Sequence, residues 1–165
     1  MQAGSLRSIW VCDVMNEIKR ILLAEDDPRD VELTLTALEE YKLTNEVIVA
    51  QDGEEALDFL YSRGKFNGRT PGNPVVVLLD IKMPKIGGLE VLRQIKSDPE
   101  LMMIPVVILT SSRETPDLLE AYKLGVNAFV VKPVNFANFV EAVKGLGVFW
   151  AIVNEPPPGS VKKLS

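Results

Sequence analysis

The chain alternates strand-sized apolar runs with stretches of helical periodicity, and that alternation leaves few folds open. Residues 19–24 (KRILLA) form a short apolar run bounded by charge, which suits a buried strand. Residues 46–50, 75–79, 106–110 and 128–131 repeat the pattern, and 75–79 (VVVLL) is the most apolar, as expected of a central parallel strand covered on both faces. After the first run, Asp27-Pro28 opens a helix: Asp27 suits the N-cap, Pro28 the first helical position and Asp30 the acidic first turn. Val31, Leu35 and Leu38 recur at helical spacing and carry that helix to about Tyr41. Asp52-Gly53 leads into a second helix through Ala56, Leu57 and Leu60, and residues 62–74 (SRGKFNGRTPGNP) read as a loop. Leu89, Leu92 and Ile95 place a third helix over Gly88 to Ser97. A fourth runs from Pro116 to Leu124, where Gly125 stops it, and a last one from Phe136 to about Trp150. Five strand–helix units of this length predict an α/β fold, a flavodoxin-like (βα)5 doubly wound parallel sheet with strand order 2-1-3-4-5.

The chain of 165 residues has room for one core. Residues 1–17 read as a flexible N-terminal extension, 18–150 as the domain, and 151–165 as a Pro-rich tail. The extension lacks the apolar stretch and cleavage pattern of a signal peptide, and no apolar run is long enough to span a membrane, so a cytoplasmic location is expected. A net charge of −5 argues against nucleic-acid binding through a basic face. The single Cys12 excludes an internal disulfide and a cysteine zinc site. The absence of histidine excludes imidazole metal sites, histidine triads and a histidine phosphoacceptor within the chain. Whatever chemistry the chain performs therefore falls to carboxylates, hydroxyls and lysine.

Those groups gather at one edge of the expected sheet. The first strand ends in Glu25-Asp26-Asp27, the third in Asp80, the fourth in Thr110-Ser111 and the fifth in Lys132-Pro133. In open parallel sheets functional groups collect at the carboxyl ends of the strands. Carboxylates brought together repel and call for a cation, and hard oxygen ligands favour Mg²⁺ or Mn²⁺ over zinc. An aspartate beside such a metal can attack phosphorus, while a lysine and a hydroxyl neutralise the phosphoryl oxygens.

The blocks ILLAEDDP, VVLLDIKMPKIGGLEVL, VVILTSS and GVNAFVVKP resemble the signature blocks of two-component response-regulator receiver domains, in family order and spacing, over roughly residues 18–150. The resemblance implies Asp80 as phosphoacceptor and Asp26 as direct Mg²⁺ ligand. It implies Glu25 acting mainly through metal-bound water, and the backbone carbonyl of Lys82 completing the protein ligands. Thr110 would bind the phosphoryl group and reposition on activation, Lys132 would pair with that group, and Phe129 matches the aromatic switch position. Phe129 lacks the tyrosine hydroxyl common in the family, so a switch there is read by packing. Members usually have a cis bond before the proline that is Pro133 here.

Several readings stay open on the residues alone. Asp27 is a metal ligand or, as Pro28 favours, a helix cap; Ser111 is a phosphoryl contact or a cap for the next helix; Phe129 is plain core or switch. Lys82 either modulates aspartyl-phosphate lifetime or is a solvent-facing loop lysine. The loop at 62–74 and the segment GLGVFWAIVNEPPP resemble single-domain regulators paired with bacterial phytochrome histidine kinases. Phe149 and Trp150 suggest a partner or dimer contact, or else close the core. The expected function is therefore a single-domain response regulator, not a conventional enzyme. It would take its phosphoryl group from a histidine kinase or phosphotransfer protein, pass the signal to a downstream protein by a changed surface, and form a homodimer through the face of the fourth and fifth helices. The alternatives are a receiver-like interaction module that does not turn over phosphate, and a Mg²⁺-dependent phosphohydrolase. The second wants a general acid where Lys82 stands and a cap domain for which the chain has no room.

Overall fold

A computed structural model describes residues 20–39, 46–111 and 116–144. Five strands, β1 (Arg20–Ala24), β2 (Glu46–Ala50), β3 (Val76–Asp80), β4 (Val106–Thr110) and β5 (Ala128–Val131), form one sheet in the order β2-β1-β3-β4-β5. All four pairings are parallel. The helices are α1 (Pro28–Glu39), α2 (Gly53–Leu60), α3 (Gly88–Ser97), α4 (Pro116–Lys123) and α5 (Phe136–Lys144). The expected fold and strand order are thus observed.

The continuous apolar runs are explained by cover on both faces. In β1, β3 and β4 the side chains alternate between two separate cores. Leu22, Leu79 and Ile108 pack on one face with Leu57 of α2, Leu92 of α3 and Ala121 of α4. Leu23, Leu78 and Val107 pack on the other with Leu38 of α1 and Phe139 of α5. Each fully buried leucine contributes roughly 1.5–3 kcal/mol relative to exposure. A polar residue inside these three strands would face one core or the other, and polar groups are accordingly held back to the strand ends.

Local chemistry sets the helix starts. Asp27 accepts the Arg29 N–H on its carboxylate at 2.8 Å and the Val31 N–H on its carbonyl at 3.0 Å, so it caps α1. Asp52 caps α2 by accepting the Glu55 N–H at 2.8 Å, and the Glu55 carboxylate reaches back to the Gln51 N–H at 2.9 Å. The segment 62–74 departs from the plain loop expected. It carries a 3₁₀ turn, Gly64–Phe66, and Phe66 sets its ring edge-on against Phe59. Arg69 stacks 4.1 Å from the Phe59 ring centroid and donates to the Phe59 carbonyl at 2.7 Å, satisfying an acceptor at the end of α2. Small shifts also occur at edges: β3 begins at Val76 and takes in Asp80, and α4 ends at Lys123. The expected helix ends at Tyr41 and Trp150, residues 1–17 and the tail 151–165 lie outside the described residues. Among the described residues no helix is long and apolar enough to cross a membrane.

The connection from β3 to α3 is pressed tightly against its surroundings. The Gly88 N–H donates to the Ile81 carbonyl at 2.8 Å, and a Cβ on Gly88 would lie 2.1 Å from the Asp80 carbonyl oxygen. Gly53 opens α2 against the same connection, where a Cβ would lie 2.0 Å from the Ile86 carbonyl oxygen. Lys85 takes the left-handed conformation at φ 64° and pairs with Glu54 at 3.0 Å. Gly88→Ala is expected to cost about 1–3 kcal/mol in urea unfolding, because backbone must move to admit the methyl. Gly87→Ala, whose Cβ would stand 3.6 Å from the Ile81 carbonyl oxygen, should cost clearly less.

Candidate functional site

Register brings the strand-end groups into one row. Ala24 pairs with Leu79 and Asp80 with Leu109, so Glu25, Asp80 and Thr110 occupy neighbouring positions at the carboxyl edge. Thr110 pairs with Val131, and the Lys132 N–H donates to the Thr110 carbonyl at 2.7 Å, which adds Lys132 to the row. Glu25 itself extends the sheet, its N–H donating to the Ala50 carbonyl at 3.0 Å. Carboxylate oxygens of Glu25, Asp26 and Asp80 all lie within 4.8 Å of one another. Glu25 is buried to 1% exposure, Asp80 and Thr110 are buried, and Asp26 is exposed.

The lysine is the positive centre of the group. Lys132 Nζ stands 2.5 Å from Glu25 Oε2, 3.0 Å from Asp30 Oδ2 and 3.3 Å from Asp80 Oδ1. Burial works against its charge, but these acceptors outweigh burial and hold its pKa above the usual lysine range. Glu25 is pushed up to about 7, chiefly by burial, with Lys132 and the Asp27 N–H opposing and the Asp80 charge adding. Asp80 is likewise raised by burial, against the pull of Lys132.

These observations fit a divalent cation. Glu25 Oε2 is buried and, although in ionic contact with Lys132, has no aligned hydrogen-bond donor. A buried carboxylate oxygen left in that state is costly, and three clustered carboxylates with one lysine carry surplus negative charge. Oxygen donors of this kind suit Mg²⁺ or Mn²⁺. Asp27 lies outside the cluster, in agreement with its role as a cap.

A cavity of about 200 Å³ opens above Asp80 and is lined also by Asp30, Lys82, Thr110, Ser111 and Lys132. Lys82 and Ser111 are exposed at its rim. The segment joining Ser111 to α4 lies outside the described residues, as do Phe149 and Trp150. Phe129 is half-buried, its ring edge-on to Tyr122 of α4 with centroids 6.1 Å apart, so the expected switch position does join β5 to a helix. The Lys132–Pro133 peptide is cis. Sequence reasoning missed one participant. Asp30 was legible as a first-turn acid, but its contact with Lys132 spans 102 positions, and no local pattern encodes that.

Comparison with known proteins agrees with this geometry. Residues 21–144 match the family described as response regulator receiver domain. The response regulator Rcp1 of Synechocystis sp. is 37% identical over 138 residues, covering 84% of this chain and 92% of that protein. The solved structure of the bacteriophytochrome response regulator RtBRR is 61% identical with a TM-score of 0.77, covering 88% of this chain and 87% of the other. A Mn²⁺-bound form of Rcp1 is 36% identical with a TM-score of 0.66, covering 84% of this chain and 99% of that one. With the fold, the strand-end row and these likenesses together, the chain belongs to the response regulator receiver domain family and is related to the single-domain, phytochrome-associated regulators.

Proposed function

We propose that Asp80 is the phosphoacceptor, and that Glu25, Asp26, Asp80 and the backbone carbonyl of Lys82 hold a Mg²⁺ ion that the transfer requires. The observation that carries the reading is the single row of Glu25, Asp80, Thr110 and Lys132 along a parallel strand edge, the last three of which line one cavity. Bound there, the cation would offset the carboxylate charge and screen the incoming phosphoryl oxygens. An ionised Asp80 oxygen attacks phosphorus in line with the donor. The new bond joins that oxygen to phosphorus, and the bond to the donor histidine nitrogen breaks, its electron pair leaving with the nitrogen. Lys132, already 3.3 Å from Asp80, neutralises one phosphoryl oxygen, and the Thr110 hydroxyl serves another.

The readout is a changed surface. Thr110 ends β4 and Phe129 sits on the adjacent β5, in register with Ile108 and against Tyr122 of α4. Movement of Thr110 toward the phosphoryl group shifts the packing of Phe129 and Tyr122, favouring one of two arrangements of the α4–β5–α5 face. Tyr122 is half exposed and Leu119 is 67% exposed on α4, so this face has apolar surface to offer a second copy or a downstream protein. The likeness to a bacteriophytochrome response regulator supports a histidine kinase of phytochrome type as the donor.

Incubation with Mg²⁺ and acetyl phosphate should add one phosphoryl mass to the intact chain, and Asp80→Asn should abolish the adduct. No adduct in the wild type would favour an interaction module without phosphate turnover. Size measurement on the same samples should show a dimer in the phosphorylated one, and a monomer in both would remove the dimer proposal.

The raised pKa of Glu25 gives a pH dependence with a defined sign. Metal binds the ionised carboxylate, so Mg²⁺ affinity should level off only well above pH 7 and fall as protons compete near and below it. The limit is about tenfold per pH unit for one proton. In metal-free protein the shift runs from 4.5 upward, so the native state binds the extra proton and stability falls as pH rises from 4.5 through about 7. Calorimetric titration of Mg²⁺ between pH 5.5 and 8.5 (roughly the range the carboxylate spans) checks it; a flat affinity would contradict a raised Glu25 pKa coupled to the metal.

A further inference from the structure

We propose that Asp30 is a positioning residue that holds Lys132 before phosphorylation and opposes its transfer to the phosphoryl group. The inference rests on Asp80 as the acceptor and adds a competitor for its lysine. Of the three carboxylates around Lys132 Nζ, Asp30 is the one joined to it by an aligned hydrogen bond, at 3.0 Å. Among the described residues it is also the one of the three that stands outside the carboxylate cluster suited to a cation. Its side chain is 32% exposed and lines the cavity into which a phosphoryl group on Asp80 must project.

These facts separate Asp30 from its neighbours. A bound cation draws on the charge of Glu25 and Asp80, which weakens their hold on the lysine. Asp30 gives nothing to the cation and remains the lysine's counter-ion. It is carried on the first turn of α1, where the helix dipole favours a negative charge, and the Asp27 cap fixes where that turn begins. When a phosphoryl group arrives, Lys132 is shared between Asp30 and the new anion, and the two anions repel each other across the cavity. Both effects raise the concentration of phosphoryl donor or analogue needed for occupancy. Asp30 therefore sets the threshold at which the site fills.

The test uses beryllofluoride as the phosphoryl analogue at saturating Mg²⁺, followed by fluorine nuclear magnetic resonance on the full chain. Asp30→Asn keeps the shape and removes the charge. Its half-saturation concentration should fall about two- to fivefold, the effect expected of a partly exposed ion pair. Asp30→Glu, which keeps a charge within reach of the lysine, should stay close to wild type. In a Lys132→Gln background the Asp30→Asn gain should shrink clearly, because the part that runs through the lysine is lost and only direct repulsion remains. An unchanged or higher half-saturation concentration in Asp30→Asn overturns the proposal. So does an equal gain with and without Lys132, which would mean charge repulsion alone. Should Asp30→Asn fold poorly, Asp30→Ser provides the same reading. A wild type that takes up no beryllofluoride removes the Asp80 acceptor itself and this role with it, whereas uptake unaffected by Asp30 removes only the role.

Discussion

Parallel pairing in a fixed register is the constraint on which the rest of the molecule depends. Ala24 beside Leu79, Asp80 beside Leu109 and Thr110 beside Val131 determine that the first polar residue of each strand falls in one row. A slip of one residue in any strand would turn its buried side chains to the opposite core and remove a member from the row. The two cores enforce the register, since Leu22 and Leu23, or Leu78 and Leu79, belong to opposite faces and both are fully buried. Stability and site geometry are therefore one problem in this fold. The apolar runs align the strands, and alignment places the charges.

The charges so placed do not balance. Three carboxylates meet a single ammonium around Lys132, and Glu25, with 1% exposure, is pushed up to about 7 by its burial. Such a site is high in free energy without further positive charge, which explains its fitness for a divalent cation and then for a group that arrives as an anion. The tight β3–α3 connection serves the same end. Gly88 lets α3 begin against the Asp80 backbone, and Gly53 lets α2 begin against Ile86, so the loop that follows Asp80 is clamped on two sides.

Much of this was legible in the residues. The five apolar runs and the helix signals, above all Asp27-Pro28 and Asp52-Gly53, gave the elements and the strand-end groups, because period and capping are local properties, and the strand order came from the preferred topology of five strand–helix units. The cap at Asp27 followed from the proline after it. What escaped the sequence was non-local. The 62–74 segment read as a loop from its glycines and prolines, whereas Phe66 and Arg69 fold back onto Phe59 and give it a fixed turn. Asp30 looked like a dipole partner, yet it reaches Lys132 across the top of the sheet. Both depend on which elements become neighbours after folding, and composition does not carry that information.

The central claim is that one carboxylate in this cluster, and not its neighbours, takes the phosphoryl group. Phosphorylation with acetyl phosphate and Mg²⁺, followed by borohydride reduction of the acyl phosphate and peptide mapping, tests it most directly. Reduction converts an aspartyl phosphate to homoserine. The account predicts homoserine at position 80 alone. Reduced product at Asp26 or Asp30, or at Glu25, would contradict it.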